Sequence, residues 1–181
     1  TPKAGQLVLS LERLKGVEEI DRDSATMTVL AGTPLETAQK AAEAAGLYLA
    51  LDIGSRGSCQ IGGNIATNAG GNHVIRYGMA RAQVLGLETV LADGTVLSAL
   101  TKVMKNNAGY DLNQLFIGSE GTLGIITELT LKLSGIPAAI SGGVCPFPTL
   151  ETACNAVIAT IQSGIPVARI ELVNGLQMRA M

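Results

Sequence analysis

Apolar and polar positions alternate in some stretches of this chain and follow a helical period in others. QLVLSLERL, residues 6–14, alternates enough to predict a strand leading to a turn. SATMTVLAG, residues 24–32, predicts a better one, with Thr and Val interleaved. A helix start follows. Thr33 is placed as N-cap, Pro34 as first helical residue and Glu36 as the capping-box acid, before the Ala-rich AQKAAEAA and a stop at Gly46. Leu47–Leu51 forms a short apolar edge. VLGLETVLADGTVLSA, from Val84, predicts a hairpin turning at Asp93–Gly94. A short helix is expected over 111–117 with Asp111 as its cap, and the longest strand over 122–133. Strands dominate and pair antiparallel, so the predicted class is α+β: a mainly antiparallel sheet flanked by helices.

Ile136 and Pro137 mark a predicted boundary between a domain over 1–136 and the start of a second over 137–181. Beyond it a strand is expected around 140–145, then a helix 150–162 capped by Thr149 and stopped by Gly164, then a strand VARIELV. Together these make one β-α-β unit, with another helix starting near Met181.

Two segments break the pattern. Residues 54–71, GSRGSCQIGGNIATNAGG, carry six glycines among eighteen residues and almost no side chain suited to a core. Such a stretch exists for its backbone, because free N–H groups in Gly-rich turns hold anions such as phosphate. Its polar residues equally serve to satisfy the loop's own backbone. In 109–128, GYDLNQLFIGSEGTLGIITE, Gly118, Gly121 and Gly124 recur at a spacing of three inside an apolar run. Glycine at that density marks close backbone approach rather than a strand interior.

Composition narrows the classes. An apolar fraction of 47% against 15% charged residues argues for a packed core and against disorder. A net charge of −2 without a basic block leaves no footprint for nucleic acid. No apolar run is long enough to span a membrane. Cys59, Cys145 and Cys154 show no paired spacing, which points away from disulfides and zinc and toward a reducing, cytoplasmic setting. The single histidine, His73, cannot build a metal site alone. No GxGxxG opens a helix after a strand, which disfavours a nicotinamide fold.

The stretches GSCQIGGNIATNAGG, IRYGMARAQVLGLETVLADGTVL, GYDLNQLFIGSEGTLGIITELTLKL and, more loosely, IPVARIELVN carry a resemblance. The chain resembles the flavin-binding domain of FAD-linked oxidoreductases of the vanillyl-alcohol oxidase type. Within these it is most similar to the branch acting on D-2-hydroxy acids (D-2-hydroxyglutarate and D-lactate dehydrogenases and the glycolate oxidase flavin subunit). The resemblance implies an FAD cofactor, a small 2-hydroxy acid substrate and a separate electron acceptor. It places Gly54, Ser55, Gly57, Ser58, Ile61, Gly62, Gly63, Asn64, Thr67 and Asn68 on one wall of the cofactor site. Gly118, Glu120, Gly121, Gly124, Ile125 and Ile126 fall at its adenine or ribose end, with Glu120 either binding hydroxyls or structural. Arg76, in IRYG, faces an anionic substrate or the cofactor, or else pins the loop; the second reading is favoured. The family's pyrophosphate loop lies just before a segment like residues 1–14, so a fragment without that loop is expected. Catalytic residues belong to the cap domain, of which 137–181 is the implied beginning. An exposed apolar helix face at Ala153, Val157, Ile158 and Ile161 predicts self-association. The alternatives are a non-catalytic flavin-fold scaffold and the FAD subunit of a molybdenum hydroxylase.

Overall fold

The computed structural model describes residues 2–180. Its centre is a five-stranded antiparallel sheet in the order β1-β2-β6-β4-β5. The strands are β1 (Val17–Asp21), β2 (Thr26–Leu30), β4 (Val84–Val90), β5 (Val96–Ser98) and β6 (Ile125–Lys132). β6 is the longest and lies in the middle, with Leu129 opposite both Val29 of β2 and Leu87 of β4. The 84–99 hairpin forms as expected, and Gly94 supplies the positive φ of its turn.

One sheet face is apolar. Met27, Val29, Leu87, Leu129 and Leu131 are buried there with two helices, α1 (Leu35–Ala44) and α2 (Ile61–Ala66). Leu35, Ala38 and Ala42 of α1 recur at spacings of three and four and are fully buried, the signature of a helix with one core-facing stripe. Each large apolar side chain buried this way contributes about 1.5–3 kcal/mol. Across the other face the chain folds back after β5. Ala99–Thr101 lies so close over Gly86 that a β-carbon there would sit 2.3 Å from the Ala99 carbonyl oxygen. Lys102 then reaches Glu19 on the opposite edge strand at 2.6 Å. A two-stranded pair, β3 (Leu47–Tyr48) with β7 (Ser134–Gly135), closes the body.

Several expectations are corrected. Residues 6–10 form no strand; Leu7 is fully exposed, and no neighbouring strand offers them a ladder. The first strand is instead Val17–Asp21. Thr33 does not cap α1. Its hydroxyl donates to the Gly16 carbonyl and accepts the Gly16 N–H, tying the chain before β1 to the end of β2. Glu36 pairs with Lys40 rather than closing a capping box. In 137–181 the helix α5 (Leu150–Gln162) forms with a Thr149–Thr152 capping box, and Gly164 takes positive φ just beyond it. Neither flanking strand forms, around 140–145 or in VARIELV, so the β-α-β unit reduces to its helix. A last helix, α6, covers Gly175–Ala180; Met181, like Thr1, lies outside the described residues.

Candidate functional site

The glycine-rich segment is not a plain loop. Its middle folds into α2, and Ile61 and Ile65, one turn apart, bury fully against β6 and its neighbours. The expectation that the segment has almost no core-building side chain therefore fails at these two positions. Gly62 is also buried, for a packing reason. A β-carbon on it would lie 2.6 Å from Ala31 Cβ, so glycine lets the helix rest on the end of β2. Ile61 N–H donates to Thr33 and Gly62 N–H to Ala31, fixing the start of α2 to the chain just past β2.

The two glycine clusters meet at the other end of α2. Gly118 N–H donates to the Ile65 carbonyl and Glu120 N–H to the Ala66 carbonyl, at 3.1 and 2.9 Å. These bonds satisfy carbonyls that a helix end leaves open. Gly118 and Gly121 take positive φ, and so does Glu120, which glycine would tolerate more readily. The Glu120 backbone is thus spent on capping α2, while its side chain is exposed. Gly124 is glycine for space: a β-carbon would meet Thr89 Cγ2 at 2.6 Å. Between the clusters lies the short helix α4 (Asn113–Phe116); its N-cap is Leu112 rather than the expected Asp111, whose carboxylate accepts instead from Asn113 N–H and the Gln114 side-chain amide in the turn before it.

What remains open is backbone. Gly63 is exposed on the outer side of α2, and a β-carbon there would meet nothing within 4 Å. Among the described residues its N–H has no acceptor, and neither do those of Gly54, Ser55, Gly57, Gly121 and Gly124. β2 ends its pairing opposite Glu128 and Ala31 N–H takes the Thr127 carbonyl, so that edge of Ile125 and Ile126 has no strand partner. The polar side chains, in contrast, bond to the segment itself, Ser58 and Thr67 from exposed positions and Asn64 from a buried one. The Ser58 hydroxyl donates to Ser55 O, the Thr67 hydroxyl to Gly63 O, and the buried Asn64 amide to Cys59 Sγ. Asn68, with φ 48°, accepts the Arg81 N–H.

Arg81 went unmarked in the sequence. Its guanidinium donates to the Gln114 carbonyl and side chain and to the Ile117 carbonyl, holding α4 and Gly118 against the turn at 80–83. A lone arginine inside MARAQVLGL, where the chain turns apolar, is the signal that could have found it, since a half-buried guanidinium needs several acceptors. Arg76 donates to the Pro166 carbonyl and lies over the Tyr77 ring, which fits the pinning reading. No group of three metal-ligating side chains occurs among the described residues.

The site is thus an antiparallel sheet backed by helices, with two glycine clusters joined on one helix and backbone donors left unspent. The family described as FAD binding domain matches residues 1–99, and the chain belongs to it. FAD is therefore its cofactor. The exposed face of Gly63 and the unspent N–H groups around it suit a group that approaches main chain closely. The chain is 45% identical over 170 residues to the D-2-hydroxyglutarate dehydrogenase, mitochondrial, of Bos taurus, covering 90% of this chain and 31% of that protein. It is 52% identical over 147 residues to the D-2-hydroxyglutarate dehydrogenase of Xanthomonas citri pv. viticola, covering 81% and 31%. To a probable D-lactate dehydrogenase, mitochondrial, of Danio rerio it is 38% identical over 179 residues, covering 97% and 36%. A solved alkyldihydroxyacetonephosphate synthase superposes with a TM-score of 0.72 at 28% identity, covering 86% of this chain and 28% of that one. The chain thus spans about a third of the length of the relatives it matches.

Proposed function

We propose that this chain forms one wall of the FAD site in an oxidoreductase that oxidises a D-2-hydroxy acid, with D-2-hydroxyglutarate as the first candidate. The higher identity to the relatives named for that acid supports the order. Bound FAD supplies a hydride acceptor at flavin N5, and the protein's share is to place and tune it. In this reading Gly63 and its neighbours on α2 bring unspent backbone donors to the diphosphate and flavin edge. Gly121, Gly124 and the unpaired edge of Ile125 and Ile126 receive the adenine or ribose end. Gly62 and Arg81 touch no ligand; they fix where α2 and the second cluster stand. The domain division at 136–137 is retained as part of the proposal, with 137–181 as the start of a substrate-covering cap. The proton acceptor, the carboxylate-binding group and the route to an electron acceptor are assigned to parts of the protein outside 1–181. Relatives carry the word mitochondrial in their names, so the cytoplasmic expectation is not carried forward. No helix among the described residues is long and apolar enough to cross a membrane.

The observation carrying this reading is the meeting of both glycine clusters on α2 with exposed, unspent main chain between them. The test is anaerobic addition of D-2-hydroxyglutarate, D-lactate and glycolate to the full-length flavoprotein. Bleaching of the visible flavin band by the first, ahead of the others, supports the proposal. A band unchanged by all three favours a non-catalytic scaffold.

A further inference from the structure

The glycine-rich segment leaves the body at Asp52 and returns at Gly71–His73, and these two points are held together by one residue. The Asp52 carbonyl accepts the Asn72 N–H at 2.8 Å, and Asp52 Oδ2 accepts the Asn72 side-chain amide at 2.8 Å. Gly71, at φ 114°, packs so tightly that a β-carbon would sit 2.3 Å from the Asp52 carbonyl oxygen. Asp52 Oδ1 faces Arg56 at 3.3 Å. His73 extends this neck into a small cleft. Its Nδ1 lies 2.9 Å from the Tyr48 hydroxyl, and its Nε2 lies 4.0 Å from Asp52 Oδ2. Tyr77 stands edge-on to both rings.

We infer that Asp52 is a positioning residue that closes the neck of the glycine-rich segment, and that protonation of His73 tightens this closure. With a neutral imidazole, Nδ1 accepts the Tyr48 O–H. Burial, Tyr77, and the carboxylates of Asp52 and Glu43 keep that phenol above its ordinary pKa and therefore protonated. The remaining ring proton then sits on Nε2, toward Asp52 but beyond hydrogen-bond reach. The added proton goes to Nδ1, where the Tyr48 hydroxyl turns from donor to acceptor, and the ring's positive charge makes the 4.0 Å approach of Nε2 to Asp52 Oδ2 an ion pair across the neck. The other charged groups around the ring divide. Glu43 of α1, which lines the cleft, adds to the attraction. Arg56 opposes it from the far oxygen of Asp52, and Arg76, on α3 (Val74–Tyr77) with the ring at its start, is directed to Tyr77 and the Pro166 carbonyl. Asp52 lies 4.0 Å from Nε2, and its attraction prevails in the inference. The neck ties together the two ends of the segment that carries α2, and the consequence for FAD rests on the function proposed above: release of the cofactor should slow when His73 is protonated.

The chain has one histidine, so its imidazole resonance needs no assignment. The experiment follows that resonance by NMR from about pH 5 to 8, together with amide exchange in 54–71 corrected for its intrinsic pH dependence. The expected result is a common midpoint, with protection rising about two- to five-fold on protonation, the scale of a partly exposed ion pair. Asp52→Asn removes the carboxylate that the ring faces and should abolish the coupled change. His73→Gln leaves the Asp52–Asn72 bonds in place and should give protection that is flat with pH at the neutral wild-type level. Protection that ignores the imidazole titration, or pH-dependent protection persisting in Asp52→Asn or in His73→Gln, overturns the inference. None of these readouts involves FAD, so failure of the proposed function leaves them intact. FAD release from the full-length protein, measured at both ends of the titration, tests the consequence separately.

Discussion

The body from Val17 to Gly135 and the tail from residue 137 onward are built from similar local signals and end differently. In the body, strands find partners on both sides of β2, β4 and β6, and α1 and α2 bury their apolar faces on the sheet. In the tail, α5 forms because its cap and its stop are local, but the segments expected as strands remain without ladders. Ala153 is buried, yet Ile158 and Ile161 are 50% and 55% exposed. A helix satisfies its backbone internally, whereas a strand's donors and acceptors need a neighbour. The difference teaches that the body stands on long-range pairing and the tail on one self-sufficient element.

Changes inside the body should therefore cost most. Gly62→Val drives a branched side chain into Ala31, where even the β-carbon is 2.6 Å away. The expected loss is about 3 kcal/mol or more by urea unfolding; a variant as stable as the wild type would show that α2 is not held on β2. Arg81→Met leaves the carbonyls of Gln114 and Ile117 without their donor. It should cost about 2–3 kcal/mol and raise amide exchange at Gly118 and Glu120 before it does so at the sheet. Removing the tail should cost far less. A chain ending at Gly135 keeps β7, and we expect its thermal midpoint within a few degrees of the parent, about what scattered surface contacts provide. Static light scattering should show self-association in the parent through Ile158 and Ile161 and none in the truncated chain; equal masses would place that face against the body instead.

The smallest effect comes from the solvent side of the sheet. Glu128 lies directly opposite Glu88 across β6 and β4. Burial first, then Glu88 and Glu18, raise its pKa above the ordinary 4.5. A raised carboxyl favours folding while it is protonated, and that contribution is lost as pH climbs from below the ordinary value through the raised one. Glu128→Gln should thus lift the thermal midpoint by about 1–3 °C at about pH 7, and the gain should vanish below the ordinary value of 4.5. A gain of equal size at both pH values would contradict the cross-strand repulsion.

The sequence made elements legible where their signals are local: the Asp93–Gly94 hairpin, the Thr149 cap, the stop at Gly164, the alternation of β6. It misled where an outcome depended on partners. QLVLSL alternates better than VEEID, yet the second is the strand, because it pairs with β2. Thr33, Pro34 and Glu36 spell a capping box, but Gly16 competes for the Thr33 hydroxyl and wins. At the candidate site the glycine positions were legible and their separate reasons were not. Gly62 and Gly124 are glycine because protein lies against them; Gly118 and Gly121 because of positive φ; Gly63 for neither reason. Nothing in the string of letters distinguishes Gly62 from its neighbour, since the distinction is which side of α2 faces Ala31.

That distinction gives the sharpest test of the wall assigned to FAD. Gly63 lies in a helix with ordinary φ and open space above it, so Gly63→Val strains nothing in the chain itself. Its only expected conflict is with a ligand resting on the main chain. The deciding measurement is the flavin content of full-length Gly63→Val after purification, read beside its unfolding midpoint without cofactor. The account predicts a colourless protein whose cofactor-free midpoint matches that of the parent. A yellow protein with one FAD per chain would contradict it and leave α2 as a purely structural helix.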